Sequence, residues 1–260
     1  MNNQRLTIRT SSDSLAFATT DGREVVYERY PLKNGMSVAA NMREALTLEP
    51  MLQQSYQRVT VLTDSPVLMT PADLFREEER DDTYRYTFTG QELRYVTHSV
   101  VPGLNAVAVF SVLKDLRQVL TDRYGQVEFF PVATPVWHHL HQKSFTGSHA
   151  KLYAYFHDHR MEVFCFAQNR FKFYNSYAAD NPDDALYYLL AAWKLLALEP
   201  YEDELHLTGA MSGREELLDK VRQYVKHVFV SNPTGEFNRA QVTQIKGMPY
   251  DLILYYLKGL

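Results

Sequence analysis

The sequence predicts a mixed α/β (α+β) protein made of two similar halves, and three observations carry that prediction. Three short strands, at 5–8, 15–17 and 25–30, recur about 147 positions later at 152–156, 161–166 and 171–177. Tyr27 and Tyr30 reappear there as Tyr174 and Tyr177. A helix follows in each copy and ends in the same three residues, Leu48-Glu49-Pro50 and Leu198-Glu199-Pro200. A short strand comes next in each, at 59–63 and 205–208. A repeat this long is a duplicated supersecondary unit, not a solenoid of small repeats. It implies two lobes, 1–146 and 147–260, with a cleft between them.

Each element has a local reason. Residues 5–30 alternate with period two and are broken by Ser11-Ser12-Asp13 and Asp21-Gly22, both hairpin turn signals. Asn34-Gly35 ends the meander. Ser37 begins a helix through about Leu48, with Val38, Met42, Ala45 and Leu46 on one face. After the strand at 59–63, a second short strand is expected at 66–69, and Pro71 opens a brief helix through Leu74 and Phe75. The charge run from Arg76 to Asp82 reads as solvated surface. Tyr84, Tyr86 and Phe88 then alternate with polar residues, as on a half-buried strand.

A distinct block follows, at about 93–142. Residues 93–101, a Pro102-Gly103 turn and 106–112 form a hairpin. Leu113, Leu116, Val119 and Leu120 mark a helix closed by Gly125. A strand at 127–130 precedes a helix capped by Thr134-Pro135, which runs to about Gln142. The polar loop 143–148 is the expected hinge between halves.

In the second half, Asp180-Asn181-Pro182-Asp183-Asp184 is a helix start of cap, proline and then acids set against the dipole. The helix is apolar nearly all round, which places it in a core. Gly209 leads into Ser212-Gly-Arg-Glu215, a capping box, with Leu217, Leu218, Val221, Tyr224 and Val225 on the helix that follows. A strand at 227–230, a turn at Asn232-Pro-Thr-Gly235 and a helix at 249–257 complete the chain. The tyrosine pairs Tyr187-Tyr188 and Tyr255-Tyr256 fall at helical positions and read as core.

Composition narrows the function classes. The chain has 260 residues, enough to bury a sizeable core, and a net charge of −4. No basic cluster is dense enough to attract nucleic acid or an anionic membrane. The 18 tyrosines and 14 phenylalanines suit sheet faces better than helix bundles. Cys165 is the sole cysteine, so no intramolecular disulfide can form, as suits a reducing cytoplasm. It lies in a strand pattern and reads as a small buried hydrophobe. The first residues carry no apolar leader, and the longest apolar stretch, 185–198, is too short to span a bilayer.

Three antiparallel strands, then helix and strand, occurring twice, resemble the actin-like ATPase fold with its ribonuclease-H-like halves. The block with Val100-Val-Pro-Gly103 and Gln126-Val-Glu-Phe-Phe130 resembles the inserted subdomain of PilM- and FtsA-type members. Those are bacterial cytoplasmic proteins that act at the membrane face of pilus, secretion or division machinery. The chain also resembles a small family of bacterial proteins of unknown function assigned to this fold.

The resemblance implies three glycine-rich turns in active members, where backbone amides approach phosphate and an acid organises Mg²⁺. In this sequence the first hairpin is Ile8-Arg9-Thr10-Ser11-Ser12, with Arg9 near the acid position and no glycine. The second is Tyr155-Phe156-His157-Asp158-His159-Arg160, with an aromatic residue at the acid position. The third survives in part as Gly209-Ala210-Met211-Ser212. The fold is retained beside an eroded catalytic apparatus, a pseudo-ATPase pattern. The expected function is a non-catalytic scaffold or regulatory protein, with other proteins, or a second copy of the chain, as partners. Contact with membrane machinery would be peripheral.

The rival reading is an atypical nucleotide-binding protein or slow ATPase that holds ATP and Mg²⁺. Its candidate residues are Ser11, Ser12, Asp13, His157, Asp158, Gly209 and Ser212. A strand–Gly–helix turn can offer amides to an anion, although Ser and Asp at a hairpin more often satisfy the turn itself. His138, His139 and His141, with His157 and His159, invite a metal reading, but a closed zinc site wants four ligands. A ribonuclease-H-like nuclease would need clustered carboxylates that the first strands do not supply. No Walker A, Gly-x-Gly-x-x-Gly or Gly-x-Ser-x-Gly motif occurs.

Overall fold

The computed structural model describes residues 5–20, 24–90, 93–168, 170–238 and 240–260. The expected Asp21-Gly22 turn lies outside them. The chain packs as two compact units, Met1–Val101 with Ala106–Val132, and Pro102–Asn105 with Ala133–Leu260.

In the first unit, strands β1 (Arg5–Thr10), β2 (Ser14–Thr20) and β3 (Val25–Pro31) form the antiparallel meander. Helix α1 (Val38–Leu48) follows, and β4 (Arg58–Thr63) pairs parallel to β1. The Ser37 hydroxyl caps α1 by accepting from the Ala40 amide at 3.1 Å. Asn41 is buried and accepts the Lys33 amide at 2.9 Å, tying the end of the meander to the first turn of the helix.

A second sheet then interrupts the pattern. Strand β5 (Leu68–Pro71), helix α2 (Arg80–Thr87), and strands β6 (Arg94–Val101) and β7 (Ala106–Leu113) give a three-stranded sheet of order β5-β7-β6. Its small core is Tyr84, Val96, Val107 and Val109. The expected segment 93–142 shares only β6 and β7 with this sheet, which starts earlier, at Leu68. Helix α3 (Lys114–Tyr124) and strand β8 (Glu128–Pro131) return to the first sheet, giving the order β3-β2-β1-β4-β8. Leu116, Val119 and Leu120 of α3 share a core with Ala39, Met42 and Ala45 of α1 and with Leu6, Ile8, Val59 and Val61. Each fully buried leucine or isoleucine of that set contributes about 1.5–3 kcal/mol of burial.

The second unit begins with α4 (Thr134–Ser144) and the meander β9 (Lys151–His157), β10 (Arg160–Ala167) and β11 (Arg170–Ala178). Helix α5 (Pro182–Leu195), strand β12 (Glu204–Gly209), helix α6 (Arg214–Val221) and strand β13 (His227–Val230) complete a sheet of order β11-β10-β9-β12-β13. This is the strand order of the first sheet, without the added three-stranded sheet. Leu152, Ala154, Met161, Val163 and Cys165 pack under α5 and α6. The opposite face carries Tyr153, Tyr155 and Phe164, and is covered by α4 and by α8 (Tyr250–Lys258), which follows the short α7 (Pro233–Glu236). The repeated tyrosine keeps one job in both halves. The Tyr30 hydroxyl donates to Glu44 of α1 at 2.7 Å, and Tyr177 stacks on Tyr188 of α5 at 4.3 Å.

Several expected elements differ. Tyr84, Tyr86 and Phe88 do not alternate on a strand, because residues 80–87 are helical. Spacing of four also fits one helix face. Tyr84 and Phe88 meet at 5.0 Å, while Tyr86 is 92% exposed. The charge run supplies the helix with Asp81 and Asp82 in its first turn, and Arg85 beyond the run lies in its last. Pro71 begins a tight turn rather than a helix, since its carbonyl accepts from both Leu74 and Phe75 and the pattern stops there. Ser212 is not a cap: Gly213 holds the N-cap position at φ +58, a left-handed conformation from which no side chain reaches the amides. Helix α6 ends at Val221, leaving Tyr224 on the surface. Ala133, not Thr134, holds the N-cap position of α4, without a side-chain cap hydrogen bond. Helix α5 buries only one face, through Ala185, Leu189, Ala192 and Trp193. Tyr187 is 68% exposed and Leu195 72%, while Tyr255 and Tyr256 are half-buried, so neither tyrosine pair is core.

Candidate functional site

The Ser11–Ser14 turn between β1 and β2 is closed by its own side chains. The Ser11 and Ser14 hydroxyls donate to one Asp13 oxygen at 2.8 and 3.0 Å, and the Arg29 guanidinium takes the other at 3.0 Å. The Ser14 amide donates to the Ser11 hydroxyl at 3.1 Å. This is a satisfied Ser/Asx turn. Ser12 is exposed at its tip, and Arg9 is buried in β1 between Ala16 and Leu62.

In the second unit, His157 pairs with Arg160 across a two-residue hairpin. Asp158 and His159 both hold positive φ, +43 and +62. Such a turn favours glycine, and Asp is among the residues that tolerate it. The His157 ring lies 3.1 Å from the Asp158 carboxylate and 3.2 Å from that of Glu162, and stacks on Tyr155 at 4.8 Å. The Tyr155 hydroxyl donates to Asp251 of α8 at 2.5 Å.

Gly209 ends β12 against this same group. A Cβ there would lie 2.1 Å from the Phe156 carbonyl oxygen and 3.0 Å from the Tyr155 ring. The Phe156 carbonyl accepts from the Ala210 amide at 3.0 Å. The structure therefore brings Gly209, His157 and Asp158 to one end of the second sheet, with Tyr155 packed on the glycine. Ser11 and Asp13 meet in the first unit. Ser212 is exposed, one residue before Gly213.

The remaining histidines are spread among separate partners. His139 lies 2.5 Å from Glu236, and His141 packs between Phe145 and Phe166. Burial pushes His138 below its ordinary value. His159 pairs with Asp180 at 2.8 Å. Among the described residues no group of three or more His, Cys, Asp or Glu could hold a metal. Cys165 is buried, and burial pushes its thiol up to about 12.

Sequence reading missed Glu162 and Asp251, both buried, on the Tyr155 face. Each carried a signal: an acid on the phase of Phe164 and Phe166 in an otherwise apolar strand, and an acid inside an apolar helix. It also missed a groove of about 380 Å³ in the first unit. There β6 and β8, each an outer strand of its sheet, present Tyr95, Val100, Val127 and Phe129. Val100 is 60% exposed, and the Arg117 guanidinium stacks over Tyr95 at 4.3 Å.

A family model described as "Protein of unknown function (DUF3822)" matches residues 1–228. The chain belongs to the DUF3822 family. Among solved structures this DUF3822 protein is similar to a Bacteroides thetaiotaomicron protein with actin-like ATPase fold and unknown function. The two are 27% identical over 89% of this chain and 92% of the other, with a TM-score of 0.84. It is also similar to a chain of the PilM-PilN type IV pilus biogenesis complex, at 11% identity over 96% of each chain and a TM-score of 0.62. Comparison with curated proteins gives no match. The DUF3822 protein has the actin-like ATPase fold, with two sheet-containing lobes. No helix among its described residues is long and apolar enough to cross a membrane.

Proposed function

We propose that this DUF3822 protein is a non-catalytic cytoplasmic scaffold or regulatory protein that works through protein–protein contacts. One observation carries the reading. At Gly209, the turn that would offer amides to phosphate, the Ala210 amide already donates to the Phe156 carbonyl at 3.0 Å, and the Tyr155 ring packs on the side where a Cβ would lie. The Ser11–Ser14 turn adds support, since its acid is already held by two hydroxyls and Arg29. In this reading the β5-β7-β6 sheet is an inserted subdomain of the first lobe. Its outer strand β6 then receives an extended segment of the partner by strand addition, with Val100 and Tyr95 giving side-chain contact. The solved PilM structure is a complex with PilN, and binding to a protein partner is proposed for this chain as well.

The test has two arms. Thermal stability is measured with millimolar Mg-ATP, Mg-ADP and Mg-GTP, and a photo-crosslinking residue at Val100 is used to trap partners in cells. The expected result is no nucleotide-dependent rise and one discrete adduct at Val100. A rise of about 5 °C or more with any nucleotide would overturn the reading in favour of a nucleotide-binding protein or slow ATPase.

A further inference from the structure

Helix α5 carries more apolar surface than its own unit buries. Its inner face, Ala185, Leu189, Ala192 and Trp193, packs into the core of the second unit. Its outer face shows Asp184, Tyr187, Ala191, Lys194 and Leu195 to solvent. Steps of three and four residues set these on one stripe, about three turns long.

The equivalent helix of the first unit gives the comparison. Helix α1 also follows a three-stranded meander and precedes a strand parallel to its first strand. It exposes Arg43 and Thr47 ahead of its terminal Leu48. A polar outer face is what a helix turned to water carries. The outer stripe of α5 has a tyrosine, an alanine and a leucine instead.

Charge marks the ends of the stripe. Asp184 lies in the first turn of α5 and Lys194 in the last. Asp183, beside the stripe, is matched by Lys220 at 2.6 Å. The Asp184 carboxylate accepts from the Asn181 side chain at 2.6 Å, yet neither Asp184 nor Lys194 forms an ion pair among the described residues.

A stripe with an acid at one end and a base at the other is self-complementary about a two-fold axis. Two copies of α5 laid antiparallel, with Asp184 of each level with Lys194 of the other, bring Tyr187 of each level with Ala191 of the other. Both pairings share one midpoint, at Leu189, so a single axis satisfies them together. The large ring then lies over the smallest side chain of the stripe, the large-on-small arrangement that lets facing helices interdigitate.

We propose that the outer face of α5 is a homodimer contact, and that its occupant is α5 of a second copy of this chain, antiparallel, with Tyr187 on Ala191 and Asp184 on Lys194 across the axis. The inference is carried by the second unit alone. It is independent of the scaffold reading, whose adduct at Val100 is a separate measurement.

The test is sedimentation equilibrium of the full chain over about 1–300 µM, the range in which a small interface of this kind associates. The wild type is expected to dimerise within it. Lys194→Glu and Asp184→Lys change exposed residues, and thermal melting checks that both variants fold. Each alone turns both attractive contacts repulsive and should weaken the dimer about tenfold. Mixed in equal amounts, the two variants should associate again at close to wild-type strength, because both contacts of the mixed pair then join opposite charges. A wild type that stays monomeric throughout overturns the proposal and leaves the stripe to a different protein. A dimer that either variant leaves intact overturns it too, since its interface then lies elsewhere. So does failure of the two folded variants to associate on mixing. If Asp184→Lys does not fold, Ala191→Arg takes its place at the centre of the seam, and a dimer that persists in it refutes the assignment.

Discussion

Replacing Gly209 by alanine separates a glycine kept for packing from one kept for a ligand. Two costs follow from its surroundings. The backbone sits at φ +91, where an L side chain is strained, at about 1–2 kcal/mol. The new Cβ would fall 2.1 Å from the Phe156 carbonyl oxygen, which is backbone and hydrogen-bonded to Ala210. Moving β9 away from β12 to relieve this contact is overpacking, at about 1–3 kcal/mol. The sum is about 3 kcal/mol, or a fall in melting temperature of roughly 6–12 °C. Differential scanning calorimetry of the nucleotide-free protein reads it directly. Adding Tyr155→Ala should lower stability further rather than rescue it, because the carbonyl contact remains and the buried ring and its bond to Asp251 are lost. A Gly209→Ala protein within about 0.5 kcal/mol of wild type would refute the reasoning, and would return the glycine to a ligand role.

Four further outcomes are expected. Tyr84→Phe should cost about 1–2 kcal/mol in denaturant unfolding, because the hydroxyl bridges the Pro66 carbonyl at 2.8 Å and Ser111 at 3.0 Å inside the small core. Asn181→Ala should cost about 1 kcal/mol by the same measurement, through loss of the cap that accepts the Asp184 amide at 2.9 Å. Cys165 should resist a disulfide exchange reagent at pH 8 in the native protein and react as the second unit opens, because its thiol is pushed up to about 12. Burial alone would raise the Glu236 carboxyl, but hydrogen bonds from His139 and Lys143 outweigh it and hold it below the ordinary value of 4.5. A depressed carboxyl stabilises the fold above pH about 4.5 and loses that contribution as pH falls through its folded value. Acid titration of stability should therefore be flatter below pH 4.5 in Glu236→Gln than in wild type.

The duplicated sheets were legible because their signals are local and doubled. Period-two runs, the Ser37 and Asn181 caps and the 147-residue offset all point to one architecture. The inserted sheet was harder to read. Tyr84, Tyr86 and Phe88 fit a strand by alternation and a helix by the four-residue spacing of Tyr84 and Phe88, and only the tertiary partners Pro66 and Ser111 decide between them. Helix α5 looked apolar all round, yet the sheet offers one face to bury against, so Tyr187 and Leu195 remain outside. For the candidate site, the residue types could be read but the pairings could not. Glu162 reaches His157 across a hairpin whose register had first to be known, and Asp251 reaches Tyr155 from a helix 96 positions on in the chain, which no local pattern encodes.

The geometry at Gly209 also bears on how a glycine-rich turn is read in this fold. Positive φ and close backbone approach are what a phosphate requires of such a turn. The same two properties are required here by the chain itself, because β12 ends against the Phe156 carbonyl and the Tyr155 ring. A glycine at this position therefore persists under packing alone, with or without a nucleotide. The hairpin in the second unit also favours glycine by its positive φ, but it tolerates other residues. Asp158 and His159 hold the left-handed turn without glycine, each at a modest cost, and Ser11, Asp13 and Ser14 close theirs by hydrogen bonding. On the scaffold reading proposed above, loss of a nucleotide site would remove hairpin glycines and acids first and leave the glycine after the fourth strand, which packing alone requires.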